Sequence, residues 1–347
     1  MKIGIVTFHW PDNYGAVLQA YALQSYLTDL GHNVDVINYR PINHSLYYLQ
    51  VLLHPVYLKN IGIIRRKKQK NNLLNVFRKK YIHLTKRYVS CDELMKASLD
   101  YDLLISGSDQ VLNPSFTLFG ERKPTATYYL PFCNCRKIGY AISFGCTEYP
   151  NEANQYSKKW IQNFDGCGVR EDSGLNVLNQ LGYEKHQMVV PDPTILYHNH
   201  LFDKIDVESF ANNQICVYVL RQSIKIEYPN IYYMDDNHQP VSMESWLGRI
   251  INSCGLITNS YHGMIMAILH HVPFVALLET GNVAGMNDRF YTLLNRLGLK
   301  SRIMPNDADQ ALILKELEMP INWEIIDKQV DEYSKEGAKF LSNYLCE

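Results

Sequence analysis

"KIGIVTFHWPDNYGAVLQAYALQSYLTDLGHNVDVINY", residues 2–39, decides the fold class. Its first seven residues are a continuous apolar run rich in β-branched side chains, as in a strand buried on both faces of a parallel sheet. After the polar loop HWPDNYG, apolar residues Val17, Leu18, Tyr21, Leu23, Leu27 and Leu30 recur at a helical period. Gly31 suits the position just past a helix end, where left-handed backbone is needed. HNVDVINY then reads as a second strand. Strand, helix and strand in this order make a βαβ unit, whose crossover is right-handed.

Working outward, the alternation recurs in strands YDLLISGSDQ (101–110) and KIGYAISFG (137–145), a helix near 151–164, strand GCGVRE (166–171), a helix over 173–181 and strand QMVVPDPT (187–194). It loosens over 192–206. It resumes with strands QICVYVL (214–220) and IYYMD (231–235), a helix over 243–253, strand GLITNS (255–260), a helix over 262–271 and strand PFVALL (273–278). RFYTLLNRLGL (289–299) and two further helices close the chain. The expected fold is therefore α/β, with two doubly wound Rossmann-like domains facing a cleft. The domains are placed at 1–192 and 193–347, with the last helix a candidate for packing back on the first domain. Residues 41–89 interrupt the pattern. They read as a helical insertion in which an apolar and aromatic stretch precedes basic runs at 65–70 and 78–80.

Composition narrows the function. A chain of 347 residues suits two domains, and a formal net charge of −1 gives no general case for nucleic-acid binding. The 25 tyrosines against 12 phenylalanines fit a sugar-binding surface as well as a plain bias toward half-buried tyrosine. The eight cysteines are scattered, with Cys133 and Cys135 in a C-x-C, so no structural zinc site and no metal are expected. Reduced thiols, a first strand at residue 2 without a leader pattern, and no apolar stretch of the ~20 residues that span a bilayer point to a cytoplasmic protein.

Ligands of open parallel sheets bind at the carboxyl ends of strands, and four polar clusters fall there. In HWPDNYGA, Gly15 allows a close backbone approach and a helix N-terminus favours anions, with Asn13 and Tyr14 beside it. The same loop also reads as an ordinary turn capped by Asp12 or Asn13. Ser106, Gly107, Ser108, Asp109 and Gln110 offer hydroxyls, amides and a carboxylate to a sugar or phosphate, or a helix cap. Arg170 offers a permanently charged fork for phosphate or carboxylate, or pairs with Glu171. Asn259-Ser260-Tyr261-His262-Gly263 places Ser260 as an N-cap and His262 in the first helical turn, at the edge of the expected cleft. The positive end of a helix disfavours a protonated imidazole and so leaves a base available. Arg289 contacts a phosphate or pairs with Asp288. Glu244 binds sugar hydroxyls or caps its helix.

Taken together and in order, GIVTFHWPDNYGAVLQAYALQSYL, LISGSDQVLNP, YAISFG, GVREDSG, VVPDPT and ITNSYHGMIMAILHHVPFVAL resemble the polysaccharide pyruvyl transferases over roughly residues 3 to 278. The chain departs from the family at Leu112, where tryptophan is common, which puts a stacking surface in question. The resemblance implies a fold like the GT-B glycosyltransferases. It implies transfer of a pyruvyl group from phosphoenolpyruvate onto two hydroxyls of one sugar, in capsular or exopolysaccharide biosynthesis, without a cofactor or an obligatory metal. It maps a proposed acid/base onto His262 and an arginine holding phosphoenolpyruvate onto Arg170. The acceptor it suggests is a sugar on a lipid-diphosphate carrier. The basic insertion would then rest on anionic membrane at the cytoplasmic face, or would simply be a solvated helical face. The competing readings are a glycosyltransferase using a nucleotide sugar and a non-catalytic carbohydrate-binding protein.

Overall fold

The computed structural model describes residues 1–41, 61–221, 224–234 and 238–345. The apolar runs form two all-parallel sheets. The first contains β1 (Lys2–Val6), β2 (Asn33–Val36), β3 (Leu103–Ser106), β4 (Arg136–Ile142), β5 (Gly166–Val169) and β6 (His186–Val189), in the order β2-β1-β3-β4-β5-β6. The second contains β7 (Ile215–Tyr218), β8 (Ile231–Tyr233), β9 (Gly255–Thr258), β10 (Phe274–Leu277) and β11 (Ile303–Met304), in the order β11-β10-β9-β7-β8. Each sheet reverses its winding once, between β1 and β3 in the first and between β7 and β9 in the second. Loops leave these strand pairs in opposite directions, and crevices open there. The fold is α/β with two Rossmann-like domains.

The helices that shape the site are α1 (Tyr14–Asp29), α2 (Ile61–Tyr81), α3 (Asp172–Gln180), α4 (Pro193–Leu196), α5 (Met243–Ile251), α6 (Tyr261–Leu269), α7 (Asp288–Arg296) and α8 (Trp323–Ser342). Helix α1 is buried nearly all round, because it packs on the first sheet, on α2 and α4, and on α6 of the second half. A single apolar core therefore runs from Ile3 and Leu103 through α1 to Trp246 and Ile265. Tyr14 stacks on Trp246 at 5.1 Å and 6°, and its hydroxyl donates to the carbonyl of Val241 at 2.7 Å. Just after α8, the Tyr344 hydroxyl shares a 2.9 Å hydrogen bond with Nδ1 of His186 in the first sheet.

The strand expected over 187–194 is shorter in the structure. β6 stops at Val189, and Pro193 sits in the first turn of α4, where its missing N–H costs nothing. Asp192 caps that helix, its side chain accepting from the amide of Thr194. Strand β11 has only two residues, too few for any periodicity to show. In the insertion, α2 buries Leu74 and Phe77 and turns Arg65, Lys67 and Lys68 outward. The apolar stretch before it, 42–60, lies outside the described residues.

Candidate active site

The two reversal points face each other and enclose a cavity of about 180 Å³. Phe8, Pro11 and Asn13 line it from the loop after β1, and Asp109 and Gln110 from the loop after β3. From the other half come Arg221 after β7 and Ser260, Tyr261 and His262 after β9; Arg289 of α7 closes the wall. Each contributor stands at the carboxyl end of a strand or the start of a helix, so the walls present side chains and amides together.

His262 is held in the first turn of α6. The Ser260 hydroxyl accepts from the amide of Gly263 at 3.2 Å, fixing the helix start. The ring is buried at 5% exposure and lies directly over Gly15 at the start of α1. Its Nε2 sits 3.3 Å from Oδ2 of Asp192, misaligned for a hydrogen bond. Asp192 is fully buried. Its Oδ1 accepts from the amide and hydroxyl of Thr194 at 3.0 and 2.8 Å, and its Oδ2 from the Ser108 hydroxyl at 2.8 Å and Arg170 Nη1 at 3.2 Å. Burial alone would raise this carboxyl, but His262 and Arg170 together hold it well below the usual carboxylate range.

Arg170 does not reach the cavity. Its guanidinium is wholly buried, 3.2 Å from Asp192, 3.5 Å from Asp109 and 3.8 Å from Glu171. Burial opposes its charge, and these three carboxylates more than offset that, so the group is held above its ordinary value. The suggested pair with Glu171 is thus one part of a four-membered cluster. Glu171 is itself pushed up by burial, with Arg170 acting against the shift. Asp109 reaches this cluster from a left-handed backbone, φ 84°, a strain of roughly 1 kcal/mol that marks a constrained position.

Arg289, like Arg221, does line the cavity. It is 9% exposed, its Nε has no hydrogen-bond partner, and among the described residues it forms no ion pair. Asp288 instead accepts from the amide of Ser173 at 3.0 Å, joining α7 to α3. Burial, then the nearby charge of Arg170, lowers Arg289 to about 10. Both guanidinia lie over the Tyr261 ring, Arg170 at 4.9 Å and Arg289 at 5.4 Å from its centroid. On the outer lip, Arg221 pairs with the buried Glu279, whose Oε1 also accepts from Asn259 at 3.2 Å. Asn259 further exchanges hydrogen bonds with the backbone of Leu220 at 2.7 and 2.9 Å, tying β9 to the end of β7.

The remaining sequence candidates divide. Asn13 caps α1, accepting from the amide of Ala16 at 3.2 Å, and also lines the cavity. Tyr14 and Ser108 act behind the wall, through Trp246 and Asp192. Gln110 is in the wall and accepts from Asn113 at 3.1 Å. Glu244 is not the cap of α5; Ser242 is, accepting from Ser245. Leu112 is fully buried, so no stacking surface exists at that position for it to alter. Reasoning from sequence missed Asp192, Tyr261, Arg221 and Glu279. Asp192 follows the strand-end rule as well as Arg170 does, but its prolines read as a domain junction.

The family model for polysaccharide pyruvyl transferases matches residues 13–279. The chain belongs to the polysaccharide pyruvyl transferase family. It is accordingly a transferase, of a family that acts in polysaccharide pyruvylation. No curated protein matches it. Among solved structures, it is similar to a putative UDP-N-acetylglucosamine 2-epimerase from Listeria monocytogenes, with TM-score 0.52 and 9% identity over 96% of this chain and 90% of that one. UDP-GlcNAc 2-epimerase from Methanocaldococcus jannaschii gives TM-score 0.49 and 9% identity over 99% and 100% of the two chains. At these identities the likeness of this pyruvyl transferase family member is one of fold alone.

Proposed function

We propose that the protein transfers the pyruvyl group of phosphoenolpyruvate to two hydroxyls of one sugar, giving a cyclic ketal and free phosphate. The observation that carries this reading is Arg289, a buried guanidinium that forms no ion pair among the described residues, in the wall of a cavity that also holds His262. Asp109 and Glu171 favour its charge from a distance but do not outweigh burial and Arg170, and a buried cation so placed is costly unless an anion completes it. Phosphoenolpyruvate brings two anionic groups, a phosphate and a carboxylate, and the amides at the start of α1 add a second anion-favouring surface.

A proton goes to the methylene carbon of the donor, making it a methyl and leaving its central carbon electron-poor. One sugar hydroxyl attacks that carbon and loses its proton. The carbon–oxygen bond to phosphate breaks, and the second hydroxyl closes the ring, its proton leaving with phosphate. His262 and Asp109 are the two acid–base groups in the cavity wall, and we assign them the proton transfers, each worth ~10²–10⁴-fold in rate. Arg289 and the amides offset charge on the departing phosphate. Arg170 acts by holding Asp109 and Asp192 in place. No step as written requires a metal or a cofactor.

A lipid-diphosphate carrier for the acceptor is supported by a second feature. Arg66, Lys67 and Lys70 of α2 line a groove against Tyr14, the residue that follows Asn13 of the cavity wall. An anionic carrier would lie there, with the exposed face of α2 toward an anionic membrane surface and the sugar in capsular or exopolysaccharide assembly. The nucleotide-sugar alternative needs an available carboxylate for a ribose, and Glu279, buried behind the lining residue Arg221, is already engaged by Arg221 and Asn259. Calorimetric titration decides between the donors. Phosphoenolpyruvate should bind the wild type, and nucleoside diphosphates without a sugar should not displace it. Nucleotide-sugar binding with no phosphoenolpyruvate binding would overturn the reading.

A further inference from the structure

The inserted helix α2 lies outside the α/β alternation, yet it grips the loop that builds the site. Arg78, near its end, is 1% exposed. Its Nε donates to the carbonyl of His9 at 2.6 Å, and its Nη2 donates to those of Trp10 at 3.1 Å and Pro11 at 2.6 Å. Its Nη1 donates to Asn71 at 3.0 Å and Asn75 at 2.8 Å, side chains on earlier turns of the same helix that set the plane of the guanidinium. Three consecutive carbonyls thus converge on one fork. A lysine cannot reproduce this, because an ammonium is a point charge without a planar fork.

The gripped residues run straight into the site. Pro11 and Asn13 line the cavity, and Gly15 underlies His262. The other end of the loop is fixed too: His9 is fully buried, with Nδ1 3.1 Å from the Thr7 carbonyl and Nε2 3.1 Å from Asn38 Oδ1. Helix α2 is in turn anchored by Leu74 and Phe77, and the Phe77 ring meets Tyr21 of α1 edge-on at 5.7 Å. We infer that Arg78 is a positioning residue, which holds residues 9–11 in the conformation that sets Asn13 in the cavity wall and seats His262 over Gly15. Its kinetic consequence rests on the pyruvyl-transfer reading; the clamp itself does not.

The test uses the full chain with Arg78→Gly and Arg78→Lys, followed by amide hydrogen exchange and by phosphate release from phosphoenolpyruvate. In Arg78→Gly, exchange should rise in peptides covering 8–16 while those of β3 and β9 stay as in the wild type. The kcat should fall at least about tenfold with the phosphoenolpyruvate KM changing less than about threefold, as expected of lost alignment. Guanidinium ion at millimolar concentration should restore both readings, and ammonium neither. If the glycine variant does not fold, Arg78→Lys should fold and show the same local loosening. Unchanged exchange at 8–16 in a folded variant overturns the inference. So does a uniform rise across the chain, with activity tracking the folded fraction and no rescue. If the wild type releases no phosphate with any acceptor, the pyruvyl reading falls while exchange and its rescue still decide the clamp.

Discussion

Gly15 seats His262: a Cβ on Gly15 would lie 2.2 Å from the imidazole Nδ1 and 2.4 Å from its Cγ. The two residues open helices from opposite halves of the chain, and the start of α6 packs on the start of α1 where Gly15 has no side chain. From the sequence, this glycine is where a ligand would approach. The close approach is instead made by the histidine. Gly15→Ala must push the ring away from Asp192 and the cavity. We expect kcat/KM to fall about 10²-fold, the usual result of an ångström-scale misplacement, with the melting temperature only modestly lowered. Steady-state kinetics and thermal melts check this; an alanine variant of full activity would show that the ring position does not matter.

Arg289 should set donor affinity. Arg289→Met removes a charge-assisted contact, so the Kd for phosphoenolpyruvate should rise about 10-fold to 100-fold. Because burial brings this guanidinium down to about 10, and a bound dianion favours its charged form, affinity should weaken as pH rises through about 10. Titrations at pH 7, 9 and 10.5, wild type beside variant, read both effects. An unchanged phosphoenolpyruvate Kd in Arg289→Met at pH 7 would remove Arg289 from the binding site.

Asp192 should matter for stability as well as activity. Its folded-state carboxyl is depressed below the ordinary 3.8, so its contribution is fully present above that value and is lost as pH falls toward the folded one. Asp192→Asn leaves Arg170 and His262 facing each other with less compensation, at a cost of about 3 kcal/mol. The stability gap between wild type and variant should be widest above about pH 4 and narrow below it. Denaturant unfolding at pH 7 and pH 3 gives the sign directly.

Much of this was legible in the sequence, and the exceptions have physical causes. The buried strands declare themselves because a strand covered on both faces is apolar throughout, and Ser260 and Asn13 are cap residues in cap positions. His262 follows from those two facts. The partner relations do not. Nothing local says that Arg170 faces inward to Asp109, Asp192 and Glu171 while Arg289 faces the cavity, since both arginines stand at element ends beside an acidic residue. Nor does a basic run distinguish Arg78, buried on three carbonyls, from its exposed neighbours Lys79 and Lys80. Those distinctions arise from contacts between residues distant in the chain.

The basic groove should act on the acceptor and not on the donor. Replacing Arg66, Lys67 and Lys70 by glutamine should raise the KM for a diphosphate-linked sugar and reduce the salt sensitivity of the rate, leaving the phosphoenolpyruvate KM unchanged. Cosedimentation with anionic vesicles at low salt separates the membrane contribution, for which each cation adds about 1 kcal/mol near the surface. If the variant loses vesicle binding but keeps its KM for a soluble diphosphate-linked sugar, the groove serves the membrane alone.

The most direct measurement is phosphate release from phosphoenolpyruvate across a panel of lipid-linked and nucleotide-linked hexoses, wild type beside His262→Ala, with the mass of each product. Release that requires both an acceptor and His262, with a product heavier by one pyruvyl ketal, is the expected result. Ketal formation undiminished in His262→Ala, or transfer of a sugar from a nucleotide donor instead, would contradict the account.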